Sequence, residues 1–111
     1  FARSAKAKEK ALKFLDEANS TSDIKDGYHT IQKALSQFIA DKLNLPEAGI
    51  SAQKLIEEVQ KKTQNEQLIS ELKRIFDKCE TIAYAPDISQ EGLDADVSKS
   101  KKLIKELGKI L

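Results

Sequence analysis

Few residues of this 111-residue chain are of types that do chemistry, and their spacing sets narrow limits. There is one histidine, His29, and one cysteine, Cys79; two carboxylate pairs, Glu57–Glu58 and Asp94–Asp96, are close in sequence. A reaction centre needs polar groups that converge in a pocket. A metal site needs several Cys, His or carboxylate ligands at set spacing. One His with one Cys does not supply them, so no catalytic, metal or cofactor site is expected. His29 follows Tyr28, an inward-facing position by its spacing, so the imidazole is expected at solvent. Both carboxylate pairs fall on polar faces and are expected to be hydrated. Cys79 beside Arg74 or Lys78 has the surroundings of a low-pKa nucleophile. It also sits in an apolar row with Ile75 and Ile82, the position of a buried structural cysteine. No glycine-rich loop precedes a helix, so a phosphate cradle is not indicated.

The element that must position Cys79 is the clearest in the chain. Leu68, Leu72, Ile75, Cys79 and Ile82 recur at steps of four, three, four and three, one face of a 3.6-residue period. This predicts a long amphipathic helix between Thr63 and Pro86. Thr63 and Glu66 have capping-box spacing. Pro86 ends the helix and biases Ala85 toward extended backbone.

The remaining segments read the same way. A first helix over 2–18 carries a small-residue stripe of Ala7, Ala11, Phe14, Leu15 and Ala18, and Asn19–Asp23 is a polar break. Asp23 or Ser22 is placed to cap a second helix over 24–43, with Tyr28, Ile31, Leu35, Phe38 and Ile39 on its apolar face. Gly27 in its first turn implies a late start or tight packing, since glycine costs about 1 kcal/mol against alanine. Asn44-Leu45-Pro46 stops it. A short third helix over 52–62 has Ser51 as N-cap, Ile50 and Leu55 at staple positions, and Leu55, Ile56 and Val59 inward. Lys61 and Lys62 suit its C-terminal end. A last helix over 93–110 aligns Leu93, Val97, Ser100, Ile104, Leu107 and Leu111, with Gly108 fraying its end. The expected fold is all-α, a compact bundle of about five helices in one domain over 1–111. The second and fourth helices carry the largest side chains and are expected to form its central pair.

Charge is uneven. Residues 1–14 carry five basic residues against one acidic, as do residues 97–111, so each end is +4. With a chain total of +1, residues 15–96 carry −7. One reading is solvated helix faces. The other places residues 1–23 beside a membrane, where Lys and Arg accumulate on the cytoplasmic side. The acidic middle and the scarcity of aromatic residues speak against nucleic acid. A chain that begins with Phe1 rather than Met reads as a domain cut from a longer protein, so an absent anchor here says nothing about the parent.

Two stretches carry a family resemblance. One is Tyr28-His29-Thr30-Ile31-Gln32-Lys33-Ala34-Leu35 followed by Phe38-Ile39-Ala40-Asp41-Lys42-Leu43-Asn44-Leu45-Pro46. The other is Cys79-Glu80-Thr81-Ile82-Ala83-Tyr84-Ala85-Pro86. In this order they resemble the C-terminal cytoplasmic region of the BatD oxygen-tolerance (aerotolerance) proteins of bacteria, over about 24–111. Ala83 departs from the pattern, which has arginine there. If that arginine binds a partner, this chain has lost or moved the contact. The resemblance implies a non-enzymatic interaction domain on the cytoplasmic side of a single-pass bacterial inner-membrane protein, whose transmembrane helix would lie outside this sequence. The partners it implies are von Willebrand A-type membrane proteins, a tetratricopeptide protein and a MoxR-type ATPase. The motif residues Tyr28, Leu43, Pro46, Cys79, Tyr84 and Pro86 read as structural; Tyr84 either packs its ring on the bundle with its hydroxyl bonded locally or presents a docking surface. Two alternatives stand beside this: a redox-responsive module using Cys79, and a small nucleic-acid-binding bundle.

Overall fold

Apolar side chains three and four residues apart generate five helices: α1 (Ala2–Ser20), α2 (Ile24–Leu43), α3 (Ala52–Gln60), α4 (Glu66–Tyr84) and α5 (Leu93–Ile110). The computed structural model describes residues 2–20, 24–45, 51–84 and 92–111, and no strand occurs among them. All five helices contribute to one hydrophobic cluster, so the fold is an all-α bundle of five helices. None of the described helices is long and apolar enough to cross a membrane.

The apolar row of α4 is buried at every position from Leu68 to Ile82. Ile69 and Phe76 are buried as well, on the side that meets α3. Of the expected central pair, α2 is borne out, and α4 packs on it as well as on α3 and α5. Among the described residues α2 alone touches all the other helices, and its most extensive backbone contact is with α1, which α4 does not touch. Bulk ranks helices by volume, but closeness of approach is set by small side chains. Ala7, Ala11 and Ala18 of α1 are at most 2 % exposed, and they let the α1 backbone lie directly on α2.

The helix ends also differ from expectation, each for a local reason. α1 continues to Ser20, whose hydroxyl donates back to the Asp16 carbonyl. Gly27 is helical and buried, so packing rather than a late start accounts for it. The capping residue of α4 is Asn65, not Thr63. Asn65 Oδ1 accepts the Leu68 N–H at 3.1 Å, while Thr63 Oγ1 accepts the Asn65 N–H at 3.1 Å. Thr63 thus shapes the turn before the helix, and asparagine, a strong N-cap, takes the helix itself. Ser51 caps α3 as expected, accepting the Lys54 N–H at 3.2 Å. α3 closes at Gln60, with Lys61 and Lys62 in the turn that follows. Asn44 ends α2 with a left-handed φ of 55°, and the Leu45 N–H donates to the Ala40 carbonyl at 2.8 Å. That is the six-to-one bond of a Schellman motif. Gly108 does not fray α5, which runs on to Ile110. It lies against Phe38, whose ring would stand 3.8 Å from a Cβ at 108. The candidate caps Ser22 and Asp23, the staple residue Ile50, and Pro46 and Pro86 lie outside the described residues.

Candidate functional site

Three helices bring one polar cluster together under the surface. α2 supplies Tyr28, 1 % exposed; α4 supplies Lys78 and Cys79; α5 supplies Asp96, 5 % exposed. The Asp96 carboxylate oxygen Oδ2 accepts the hydrogen bond of the Tyr28 hydroxyl and faces Lys78 Nζ at 2.5 Å. Lys78 Nζ also lies 5.5 Å from the centre of the Tyr28 ring, within cation–π range. One carboxylate therefore holds a phenol and an ammonium, and ties α2, α4 and α5.

Asp96 was expected on a polar face, and this is corrected. Its position is in fact readable from α5: it lies three residues after buried Leu93 and four before buried Ser100. A carboxylate can occupy that row because donors meet it there. Its backbone is fixed as well. The Asp96 N–H donates to the Gly92 carbonyl and the Ser100 hydroxyl to the Asp96 carbonyl, both at 2.8 Å. Gly92 adopts φ 104° at the start of α5, a conformation that favours glycine. A Cβ there would stand 3.6 Å from Lys78 Nζ and 4.0 Å from the Tyr28 hydroxyl oxygen.

The cluster is built for holding rather than for attack. Burial first, then the hydrogen bond to Asp96 and its negative charge, raise the Tyr28 phenol far above its ordinary value. It stays a donor at neutral pH. Burial and, second, the Asp96 charge push the Cys79 thiol from 9.0 up to about 12. Cys79 is 3 % exposed, so it is neither ionised nor open to reagents. The cleft beside Lys78 and Asp96 measures about 40 Å³, room for one or two waters.

Two outcomes follow for Cys79. A thiol reagent labels it only after denaturation, and fast labelling of the native protein contradicts its burial. The second is pH-dependent stability. A raised folded-state pKa contributes stability that is complete below the unfolded value and lost as pH rises through the folded one. For the thiol that loss runs from pH 9.0 to about 12; for Tyr28 it starts at 10.0. Urea unfolding of the wild type weakens from pH 9 upward, whereas Cys79→Val holds its midpoint to about pH 10.

The other candidate residues are dispersed. His29 is exposed on α2. Glu57 is exposed, and Glu58 is held by Lys54 at 3.2 Å and Lys61 at 3.1 Å. Hydrogen bonds from Lys61 and then Lys54 lower the Glu58 carboxyl. Asp94 is exposed. Leu43 is half-buried against the core. The Tyr84 and Ala83 side chains lie outside the described residues. Among the described residues no set of three or more His, Cys, Asp and Glu is placed to hold a metal ion.

A second feature is a groove along the hairpin of α3 and α4, which sequence patterning did not bring out. Its wider part, about 650 Å³, runs past Ile69, and its narrower part, about 370 Å³, past Ile56 and Phe76; Gln60 and Lys73 line both. The apolar floor is rimmed by Glu57, Glu66, Asp77 and Glu80, all exposed. Against four carboxylates the lining offers one cation, Lys73, a local charge of −3. Compared with family models, with curated proteins and with solved structures, the chain matches none.

Proposed function

We propose that this chain is a non-enzymatic protein-interaction domain on the cytoplasmic side of a bacterial inner-membrane protein of the BatD oxygen-tolerance type. The observation that carries the interaction reading is the α3–α4 groove. Its rim of four exposed carboxylates, over a floor where Ile56, Ile69 and Phe76 show only their edges, suits a helix that presents lysine or arginine beside small apolar contacts. Such a rim raises the association rate and rejects acidic partners. The polar cluster supports the same reading, because its phenol and thiol are held protonated and its carboxylate is engaged. The family resemblance supplies the candidates: von Willebrand A-type membrane proteins, a tetratricopeptide protein and a MoxR-type ATPase.

The test is direct binding of the purified domain to each candidate, with Glu57→Lys/Glu80→Lys as the control variant. Association that weakens in this variant and in high salt is the expected result. No association with any candidate overturns the reading. Association that the variant leaves untouched removes the groove from it.

A further inference from the structure

We infer that the end of the bundle where α1 begins and α5 finishes is a surface for anionic lipid headgroups. The sequence places its two +4 segments at opposite ends of the chain, and the fold brings them together. α2 runs antiparallel to α1 after a three-residue link. α5 runs parallel to α2, because Tyr28 meets Asp96 and Phe38 meets Gly108. α1 and α5 pack directly and therefore antiparallel, and Lys101 Nζ on Asp16 Oδ1 at 2.5 Å sets their register. Residues 6–13 thus lie alongside 104–111.

On α1, Lys6, Lys10 and Lys13 are spaced four and three apart, one stripe of a helix. On α5, Lys102, Lys105 and Lys109 are spaced three and four apart, a second stripe. All six are exposed, as is Lys8. Over 6–13 and 102–109 the count is seven lysines against Glu9 and Glu106, a net +5. Each stripe extends about 10 Å along its axis. At physiological salt the Debye length is about 8 Å, so a charged plane is felt by the lysines of a stripe only where it lies directly against them.

The residue type selects the partner. Each of the seven cations is a lysine, a hydrated point charge suited to a diffuse anionic surface, whereas arginine reads phosphate bidentately. Among the described residues the aromatic rings that would stack on nucleobases are committed elsewhere: Tyr28, Phe38 and Phe76 are buried, and Phe14 is half-buried under Lys33, whose Nζ lies 5.7 Å from the ring centre. Among the described residues the surface therefore offers charge without a stacking platform. The inference rests on the membrane-side reading above only for where the lipid comes from.

The experiment is cosedimentation of the purified protein with vesicles of phosphatidylcholine alone and of phosphatidylcholine mixed with phosphatidylglycerol, at low and at physiological salt. A duplex DNA oligonucleotide serves as competitor. Expected are binding to the mixed vesicles only, weakening with salt, and a loss of at least about 100-fold in Lys102→Glu/Lys105→Glu/Lys109→Glu, since each lysine near such a surface contributes about 1 kcal/mol. Lys6→Glu/Lys10→Glu/Lys13→Glu gives a comparable loss. The replaced residues are exposed, and retained helical circular dichroism shows that the variants fold. No binding to mixed vesicles, binding that survives both variants, or preferential binding to the DNA overturns the inference. The groove is not altered in these variants, so failure here and failure of the partner-binding test are told apart.

Discussion

Leu72→Ala lowers the stability of this protein by roughly 2–5 kcal/mol, the cost of lost transfer free energy plus the cavity left behind. Leu72 is fully buried in the α4 row between Leu68 and Ile75, and α4 packs on α2, α3 and α5. The packed helices around α4 relax only in part into such a cavity, which is what sets the cost. A domain of this size is stable by about 5–15 kcal/mol in total, so the variant populates the unfolded state. The thermal midpoint falls by roughly 4–8 °C for each kcal/mol. Lys73→Ala, one residue on and exposed, stays within about 0.5 kcal/mol of the wild type. Circular dichroism melts of the two variants check this. An unchanged melt for Leu72→Ala means that the row does not face the core.

The row was legible because a helix repeats its face every 3.6 residues, and burial selects for that repeat whatever the neighbours are. The five helices follow from it, as do the Ser51 cap and the stop at Asn44, where local chemistry decides. The rest depends on neighbours in space. Thr63 and Asn65 both have capping chemistry, and two residues separate a box pattern from the true cap. The dominance of the α1–α2 contact rests on alanines that a ranking by bulk passes over. Gly27 and Gly108 make sense only once the side chains opposite them are placed. Asp96 was the largest surprise. A carboxylate is assigned to water by default, and only the arrival of Tyr28 from α2 and Lys78 from α4 makes its burial tolerable. The α3–α4 groove is a product of how two helices lean on each other, and the α1–α5 lysine surface of how the chain folds back. Neither is written in a single segment.

Asp96→Ala costs roughly 2–4 kcal/mol, because hydrogen bonds to charged groups contribute about 1.5–3 kcal/mol and a buried donor left unpaired adds its desolvation. The donor in question is the Tyr28 hydroxyl, on a side chain 1 % exposed. Lys78 adds little to the loss, since its side chain is 39 % exposed and turns to solvent when the carboxylate goes. Tyr28→Phe is milder, about 1–2 kcal/mol, because Asp96 keeps Lys78. The double variant tests the mechanism. Removing the phenol from Asp96→Ala also removes the orphaned donor, so the two costs do not add, and the coupling is on the order of 1–2 kcal/mol, within the range for residues in contact. Asp96→Asn retains an acceptor oxygen for the phenol and falls between wild type and alanine. Urea titrations of the four proteins give the cycle. Strict additivity, or an asparagine variant as damaged as the alanine one, would mean that the tie between α2 and α5 is not made through this hydroxyl and this carboxylate.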